Sequence, residues 1–329
     1  MATLKDIAEL CRTSTATVSY VLSGRGEEKR ISAEMQKRVR QIADEMGYQY
    51  SLKNRQHSVT TIGVFWPRQH LEMMLSSFVN GMNTALALST RPAEASICPF
   101  ERGYLERQPY LWSKGRFDAA IIVSPNRHDM EVLARRETGI PTVLYNRRLP
   151  GYFSVSIDHD EVAGLAVDRA MELGGDDIVL IPPEANLYGA DARVKKFLEL
   201  YAQKGYDIRD KLISSANDID SGYEVGQRLL LEKRLGKVIV CIYDVVALGV
   251  VSALRNSGIQ VGRDVQVIAM SSIYKPMVHR ICPEIQMIDM RLTEVATLTV
   301  NMAIDAGNRT QSGPRELVLQ PAWSTGSGY

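Results

Sequence analysis

The 329-residue chain predicts an α/β protein that carries a small all-helical unit at its amino end. Two patterns point there: three short amphipathic stretches fill the first 48 residues, and from Thr61 onward short β-rich runs alternate with amphipathic helical ones. With 45% hydrophobic residues, the chain is long enough for two sizeable cores beyond the helical unit.

Thr3 is placed to cap the first helix, with Asp6 three positions on, in the turn where a carboxylate favours the positive end of the macrodipole. Ile7, Ala8 and Leu10 give that helix a packing stripe. After a break at Cys11-Arg12-Thr13, Ser14 caps a second helix whose Val18, Val21 and Leu22 must face inward. Thr15, Ala16, Ser19 and Tyr20 are left facing out. A third helix is expected from Ser32 to about Met46, with Met35, Val39, Ile42 and Met46 on one face and Gly47 as its stop. A plain helical hairpin is the alternative. The outward hydroxyl cluster and the third helix favour a helix-turn-helix that reads a DNA major groove.

Up to residue 60 there are ten Lys and Arg against seven Asp and Glu, which leaves 29 against 31 in the remainder. A basic head on a slightly acidic body is the asymmetry expected when one end meets a polyanion, although solvated helix faces would also produce it.

Apolar runs at 61–65, 119–123, 141–145, 154–157, 177–181, 237–242 and 265–269 predict parallel strands covered by helices on both faces. Such sheets bind ligands at the carboxyl ends of their strands. No glycine-rich dinucleotide or phosphate loop occurs, so nucleotide chemistry has no support. His57, His70, His128, His159 and His279 are scattered and are expected to be surface or linker residues, without a metal site. Asp158, Asp160 and Asp244 are expected to be caps or surface charges, not a catalytic pair, and no enzyme activity or cofactor is expected. Cys11, Cys98, Cys241 and Cys282 lack paired spacing and read as reduced thiols of a cytoplasmic protein, Cys11 as a packing residue. Neither a signal peptide nor an apolar run of membrane-spanning length is present in these residues.

Thr3-Leu4, Asp6-Ile7-Ala8 and Ser14 to Ser19 together resemble the headpiece of the lactose-repressor (LacI/GalR) family of bacterial transcription regulators. The resemblance continues through Ser156-Ile157-Asp158, Gly164, Arg193, Ser221-Gly222-Tyr223, Asp244, Gly258-Ile259 and Leu319-Gln320-Pro321. It implies two Rossmann-like lobes of the periplasmic-binding-protein type around a cleft. The implied domains are a headpiece at 1–48, a hinge at 49–60 and a body at 61–329, with lobe 1 at about 61–157 and 289–315 and lobe 2 at about 158–288 and 316–329.

By the same resemblance, Thr15, Ala16 and Tyr20 would touch base edges, and Ser14, Thr17 and Ser19 phosphates; Leu4, Arg30, Arg55 and His57 complete the implied DNA-binding set. Tyr20 takes a place often held by Arg or His, which alters the expected half-site. Ser124, Asn146, Arg193, Asn217, Tyr243 and Ser271 form the implied effector set.

Several positions depart from the pattern. Ser271, Tyr243, Asn217 and Asn146 replace frequent Asp, Asn, aromatic and Asp residues, which weakens polyol recognition. The expected effector is therefore not a simple neutral sugar, and an anion is the candidate; the alternative is that Arg193 serves an interlobe ion pair and no small molecule binds. In the hinge, Tyr50 replaces Pro, Arg55 matches, and His57 stands where a Leu would wedge the minor groove. The link to Ile62 is also three residues short of the family length. Either the hinge kinks DNA weakly or another residue such as Leu52 is the wedge.

Arg12 takes a turn position usually given to Gly, at a cost of about 1 kcal/mol if left-handed. The implied assembly is a homodimer on a double-stranded, pseudopalindromic operator, joined partly through a Met- and Leu-rich helix around Leu71 to Leu88, with no added heptad helix after Pro321. A cytoplasmic binding module without a DNA role is the rival reading, and it leaves the headpiece unexplained.

Overall fold

In the computed structural model, which describes residues 3–22, 25–46, 48, 59–68, 72–184, 188–271, 275–308 and 315–324, the chain divides into units Met1–Val59 and Thr60–Tyr329. The first unit contains α1 (Leu4–Cys11), α2 (Thr15–Leu22) and α3 (Ala33–Glu45). Thr3 and Asp6 form the reciprocal cap that their spacing predicts: the Asp6 N–H donates to Thr3 Oγ1 at 3.3 Å, and the Thr3 N–H donates to Asp6 Oδ2 at 2.8 Å. Hydrogen bonding to Thr3 holds the Asp6 carboxyl below its ordinary range. Ser14 caps α2 by accepting from the Thr17 N–H at 3.0 Å.

Ile7, Ala8, Cys11, Val18, Val21, Leu22, Val39 and Ala43 are buried together and make the small core of this unit. Leu10 is not among them. It is 53% exposed, and Cys11 takes the inward place because positions 7, 8 and 11 share one helical face and position 10 falls beside it. Arg12 adopts φ 54 and ψ 48, the left-handed conformation, while the Thr13 N–H donates to Ala8 O at 2.9 Å to close the helix end.

In the second unit, β1 (Thr60–Pro67), α4 (Glu72–Leu88), β2 (Ala93–Phe100), α5 (Pro109–Trp112), β3 (Ala119–Val123), α6 (Arg127–Arg135), β4 (Thr142–Tyr145) and β5 (Phe153–Ile157) build most of one lobe. The second lobe follows with α7 (His159–Gly174), β6 (Ile178–Ile181), α8 (Tyr188–Gln203), α9 (Ile219–Leu231), β7 (Val238–Cys241), α10 (Asp244–Asn256), β8 (Gln266–Ser271), α11 (Lys275–Ile281) and β9 (Ile285–Asp289). α12 (Leu292–Gly307), β10 (Glu316–Leu319) and β11 (Ala322–Trp323) complete the chain.

The first sheet runs β10-β5-β4-β3-β1-β2, all parallel. Both its faces are covered: Trp66 stacks on Phe78 at 5.3 Å and Phe78 meets Tyr145 edge-on at 5.1 Å on one side, while Phe65 packs with Phe117 on the other. β2 lies at the edge, where Pro99 is tolerated because no strand lies beyond it.

The second sheet runs β11-β9-β8-β7-β6 and is parallel apart from β11, which is antiparallel to β9. The chain crosses between the lobes after Ile157, after Met290 and after Leu319. The last crossing departs from the expected boundary at 315/316, because β10 pairs with β5 and so belongs to the first lobe. Placing Glu316–Leu319 there lets the chain add a parallel edge strand before it returns.

α9 and α10 approach unusually closely, because a Cβ at Gly249 would collide with the Ile219 carbonyl and one at Gly222 with that of Val246. Gly226 lies against Val250 and Ala253 in turn, so the helices run side by side in one direction and present their amino ends together. Adding a methyl here forces the pair apart: Gly249→Ala is expected to lower the unfolding midpoint by the equivalent of about 1–3 kcal/mol. Gly164→Ala on α7, where an added Cβ meets open space, should be neutral or gain up to about 1 kcal/mol in the same thermal melts. Arg12→Gly should stabilise the α1–α2 turn by about 1 kcal/mol, read as slower amide exchange at Ile7 and Val18 in the full-length protein.

Candidate functional site

α2 presents Thr15, Ala16 and Ser19 to solvent while Val18, Val21 and Leu22 anchor it from behind. Ser14 and Thr17 share a hydrogen bond of 2.9 Å at the start of the helix, and Ser14 is exposed. Tyr20 is half-buried, with the Arg25 guanidinium and the Lys29 ammonium each 5.5 Å from its ring centroid. Arg25 in turn bonds Glu28 at 2.9 and 2.8 Å, and these cations hold the Glu28 carboxyl down to about 2. The result is a row of small hydroxyls ending in an aromatic ring flanked by two cations. Arg30, exposed and left-handed at φ 53, ends the turn that carries Lys29. Leu4 is half-buried against the headpiece core. Arg55 and His57 lie outside the described residues.

The sequence missed the pairing of Tyr20 with Arg25 and Lys29. Its signal was present as basic residues five and nine positions beyond Tyr20, but these read equally well as solvated charges.

The second constellation sits at the carboxyl ends of the parallel strands. Ser124 follows β3 and Asn146 follows β4, both buried and both left-handed, at φ 46 and 53. Such a conformation in two non-glycine residues at strand ends is strain of the kind that accumulates at functional sites. Asn146 Oδ1 accepts from the Ile157 N–H at 3.2 Å, so this carbonyl ties the end of β4 to the end of β5. Arg147 is 8% exposed and donates to its neighbour's Asn146 carbonyl at 2.7 Å.

In the other lobe, Arg193 on α8 is 3% exposed, lies 5.7 Å from the Tyr243 ring centroid and approaches His159 Nδ1 at 3.4 Å through Nη1. Arginine only donates, so Nδ1 is the acceptor and His159 carries its proton on Nε2. Burial, then the charges of Arg193, Arg147 and Arg148, hold the His159 pKa down to about 2. The Tyr243 hydroxyl is raised by burial, against the pull of Arg193 and Arg147. The expectation that every histidine is a surface or linker residue fails at His159, which is half-buried at the start of α7 because Asp158 caps that helix and turns the next residue inward.

Arg193 Nε, His159 Nε2 and Asn217 Oδ1 are buried without a hydrogen-bond partner. Asn217 precedes α9 and Tyr243 precedes α10, so the close packing of those helices brings both to one end of the lobe. Ser271 ends β8, and its side chain lies outside the described residues.

A hollow of about 690 Å³ on the second lobe, lined in part by Arg169, His279, Gln286 and Ser324, differs in character. Its polar groups satisfy one another: Arg169 bonds Gln286 at 2.7 Å, and His279 meets Ser324 at 2.8 Å. Among the described residues, no cluster of His, Cys, Asp or Glu is arranged to hold a metal, and no helix is long and apolar enough to cross a membrane.

Residues 3–51 match the bacterial regulatory proteins, lacI family, and residues 167–327 match the periplasmic binding protein-like domain. The chain thus joins a LacI-family DNA-binding domain to a periplasmic binding protein-like domain. It is 27% identical over 288 residues to the HTH-type transcriptional regulator AglR of Rhizobium meliloti (strain 1021), covering 82% of this chain and 78% of the relative. The HTH-type transcriptional repressor PurR of Glaesserella parasuis serovar 5 (strain SH0165) is 24% identical over 341 residues, covering 97% and 94%. Among solved structures, a LacI family transcription regulator from Clostridium acetobutylicum superposes with TM-score 0.73 at 25% identity, over 81% of this chain and 99% of that one. A lac repressor dimer bound to operator and the anti-inducer ONPF shares the fold, with TM-score 0.68 at 18% identity over 98% of each chain. These relatives are named as transcription regulators, not as enzymes. DNA-binding transcriptional regulation is thus the function of this chain.

The depressed His159 pKa fixes a pH dependence. The unfolded chain takes up the proton near the ordinary histidine value while the folded one refuses it, so this residue's contribution is present above about 6.5 and is lost as pH falls below it. His159→Asn, which keeps a short acceptor but cannot titrate, should flatten the dependence of the melting midpoint on pH between about 4 and 6.5.

Proposed function

We propose that the chain is a transcriptional repressor that binds a pseudopalindromic operator as a homodimer and changes its hold on DNA when a small molecule enters the cleft between the lobes. The observation that carries the DNA half is the exposed face of α2, whose small hydroxyls and clasped Tyr20 are backed by a closed core. Thr15, Ala16 and Tyr20 read base edges, and Ser14, Thr17 and Ser19 bond phosphates. Leu4, Arg30, Arg55 and His57 complete the contact set, with 1–48 as headpiece, 49–60 as hinge and 61–329 as body. Arg25 and Lys29 add charge beside Tyr20 that suits the phosphate backbone.

Ser124, Asn146, Arg193, Asn217, Tyr243 and Ser271 are proposed to contact the effector. Arg193 supports that reading over an interlobe ion pair, because the groups it contacts, His159 and Tyr243, and the charges that act on it, Asp191 and Asp244, all belong to its own lobe. One headpiece buries too little surface to be specific, so two must act on half-sites about one helical turn apart. α4 suits the dimer surface: Phe78, Met82 and Ala85 are buried in its own core, Met74, Leu75 and Val79 pack against that core but stay half-exposed, and Leu88 is 77% exposed. Leu71 lies outside the described residues. A cytoplasmic, non-enzymatic regulator follows from the same reading.

Gel shifts on fragments of the gene's own promoter test it; retention of one fragment against excess random competitor at moderate salt is the expected outcome, and no preference among fragments overturns it. Tyr20→Ala should relax discrimination at one operator position by about 1–3 kcal/mol. Equal loss on all sequences would mean that Tyr20 touches only the backbone.

A further inference from the structure

Arg193 is a buried cation without a carboxylate in ion-pair contact. The groups that meet its guanidinium are His159, held neutral, and the Tyr243 phenol, while Asp191 and Asp244 act on it as more distant charges. Burying a charge this way is costly unless a counter-charge arrives. Two further guanidiniums come from the opposite lobe. Arg147, buried, stands two residues past β4, and Arg102, half-buried, two residues past β2. Their charges act at the same place as that of Arg193, because Arg147 and Arg193 bear on the Tyr243 hydroxyl and Arg102 senses that tyrosine as well.

The acids nearby leave the three guanidiniums in excess, since they number three and one of them is committed to backbone. Asp129 is fully buried and spends both carboxylate oxygens on backbone N–H groups: Gly103 at 3.0 Å to each, Leu105 at 3.1 Å and Asn126 at 3.1 Å. It thereby fixes the loop that carries Arg102. Asp244, the first residue of α10, accepts from the Val245 N–H at 3.0 Å, and Asp191 is exposed; both bear on Arg193 as charges without an ion-pair contact to it. What remains open to a ligand includes two buried donors, Arg193 Nε and His159 Nε2.

We propose that the cleft receives a small organic oxyanion, a phosphate ester or a carboxylate, whose charged oxygens are shared between Arg193 of the second lobe and Arg102 and Arg147 of the first. This rests on the reading of the cleft as the effector site and names the ligand's chemical class. Arginine forks match both anions bidentately, and donors on opposite walls make the anion itself the tie that holds the lobes closed. Arg102 and Arg147 are thus specificity-determining, and Asp129 is a positioning residue for Arg102.

The test is thermal unfolding of the full-length protein with inorganic phosphate up to 5 mM against sodium chloride of matched ionic strength, followed by glucose, glucose 6-phosphate and glucuronate. Phosphate should raise the midpoint where chloride does not, and at least one of the two acidic sugars should exceed glucose, the pair separating phosphate from carboxylate preference. Arg102→Gln and Arg147→Gln should each weaken the apparent affinity for phosphate by tenfold or more, while their midpoints in chloride report that they fold. Equal midpoints in phosphate and chloride, an equal response to all three sugars, or an undiminished response in both variants would overturn the proposal. Operator retention is measured separately in chloride. Protein that binds operator but ignores anions refutes this inference alone, and protein that binds anions but no DNA fragment refutes only the operator reading.

Discussion

A parallel sheet obliges every connecting segment to carry the chain back to the same edge, so all its strands finish on one side. That constraint assembles the candidate ligand site from residues with no proximity in sequence. Arg102 follows β2, Ser124 follows β3, Asn146 and Arg147 follow β4, and Tyr243 follows β7. None of these segments needs to recognise another for its side chains to meet. Each needs only to be next after a strand of the sheet: β3, β4 and β7 are buried on both faces, and β2 is held in place by its pairing with β1. The strained backbone of Ser124 and Asn146 lies at the same edge, held by strand pairing on either side of it.

The headpiece works by the opposite economy. It has too few residues for two layers, so its core is a handful of small side chains and its helix ends must be finished locally. Thr3 with Asp6, and Ser14 with Thr17, satisfy the amino ends, and Arg12 accepts a left-handed backbone to complete the turn. Because Val18, Val21 and Leu22 occupy one side of α2 fully, the small polar residues are confined to the other. The recognition face is in this sense what remains after the core has been served.

These two kinds of construction explain what could be read from the sequence. Local rules govern the headpiece, so its caps, breaks and outward residues were legible in the spacing of Thr3, Asp6, Ser14 and Val18; Leu10 was misread because a three-residue step from Ile7 was taken as inward although Cys11 fits the face better. The central strands were legible as apolar runs because both faces are buried. β2 was not: it alternates at an edge and contains Pro99. β9, β10 and β11 are short, at five, four and two residues, too few to show a period of their own even though Pro283, Gly313-Pro314 and Pro321 precede them. In the cleft, family resemblance led to Arg193, Asn217 and Tyr243, but an arginine in a polar loop looks the same in sequence whether solvent or a cleft surrounds it. Arg102, Arg147 and His159 acquire meaning only when the sheets set them at one edge, and the orphaned nitrogens of Arg193 and His159 appear only when burial is known.

A buried guanidinium without an ion-pair contact also bears on why the lobes would move. Replacing a buried cation by a hydrophobic side chain of similar size is often stabilising, so keeping Arg193 where water is excluded costs the empty protein stability. A ligand that touched only the second lobe would recover that cost without any preference for closure, and a ligand with equal affinity for two arrangements shifts neither, however tightly it binds. Sharing the counter-charge with Arg102 and Arg147 changes this, since those contacts are fully made only when the walls approach. The ligand contacts that Arg102 and Arg147 add on closure, beyond those of Arg193 alone, then supply the free energy available for moving the lobes. By reciprocity, that contribution is also the upper bound on how far any group that reads lobe position can alter ligand affinity in return.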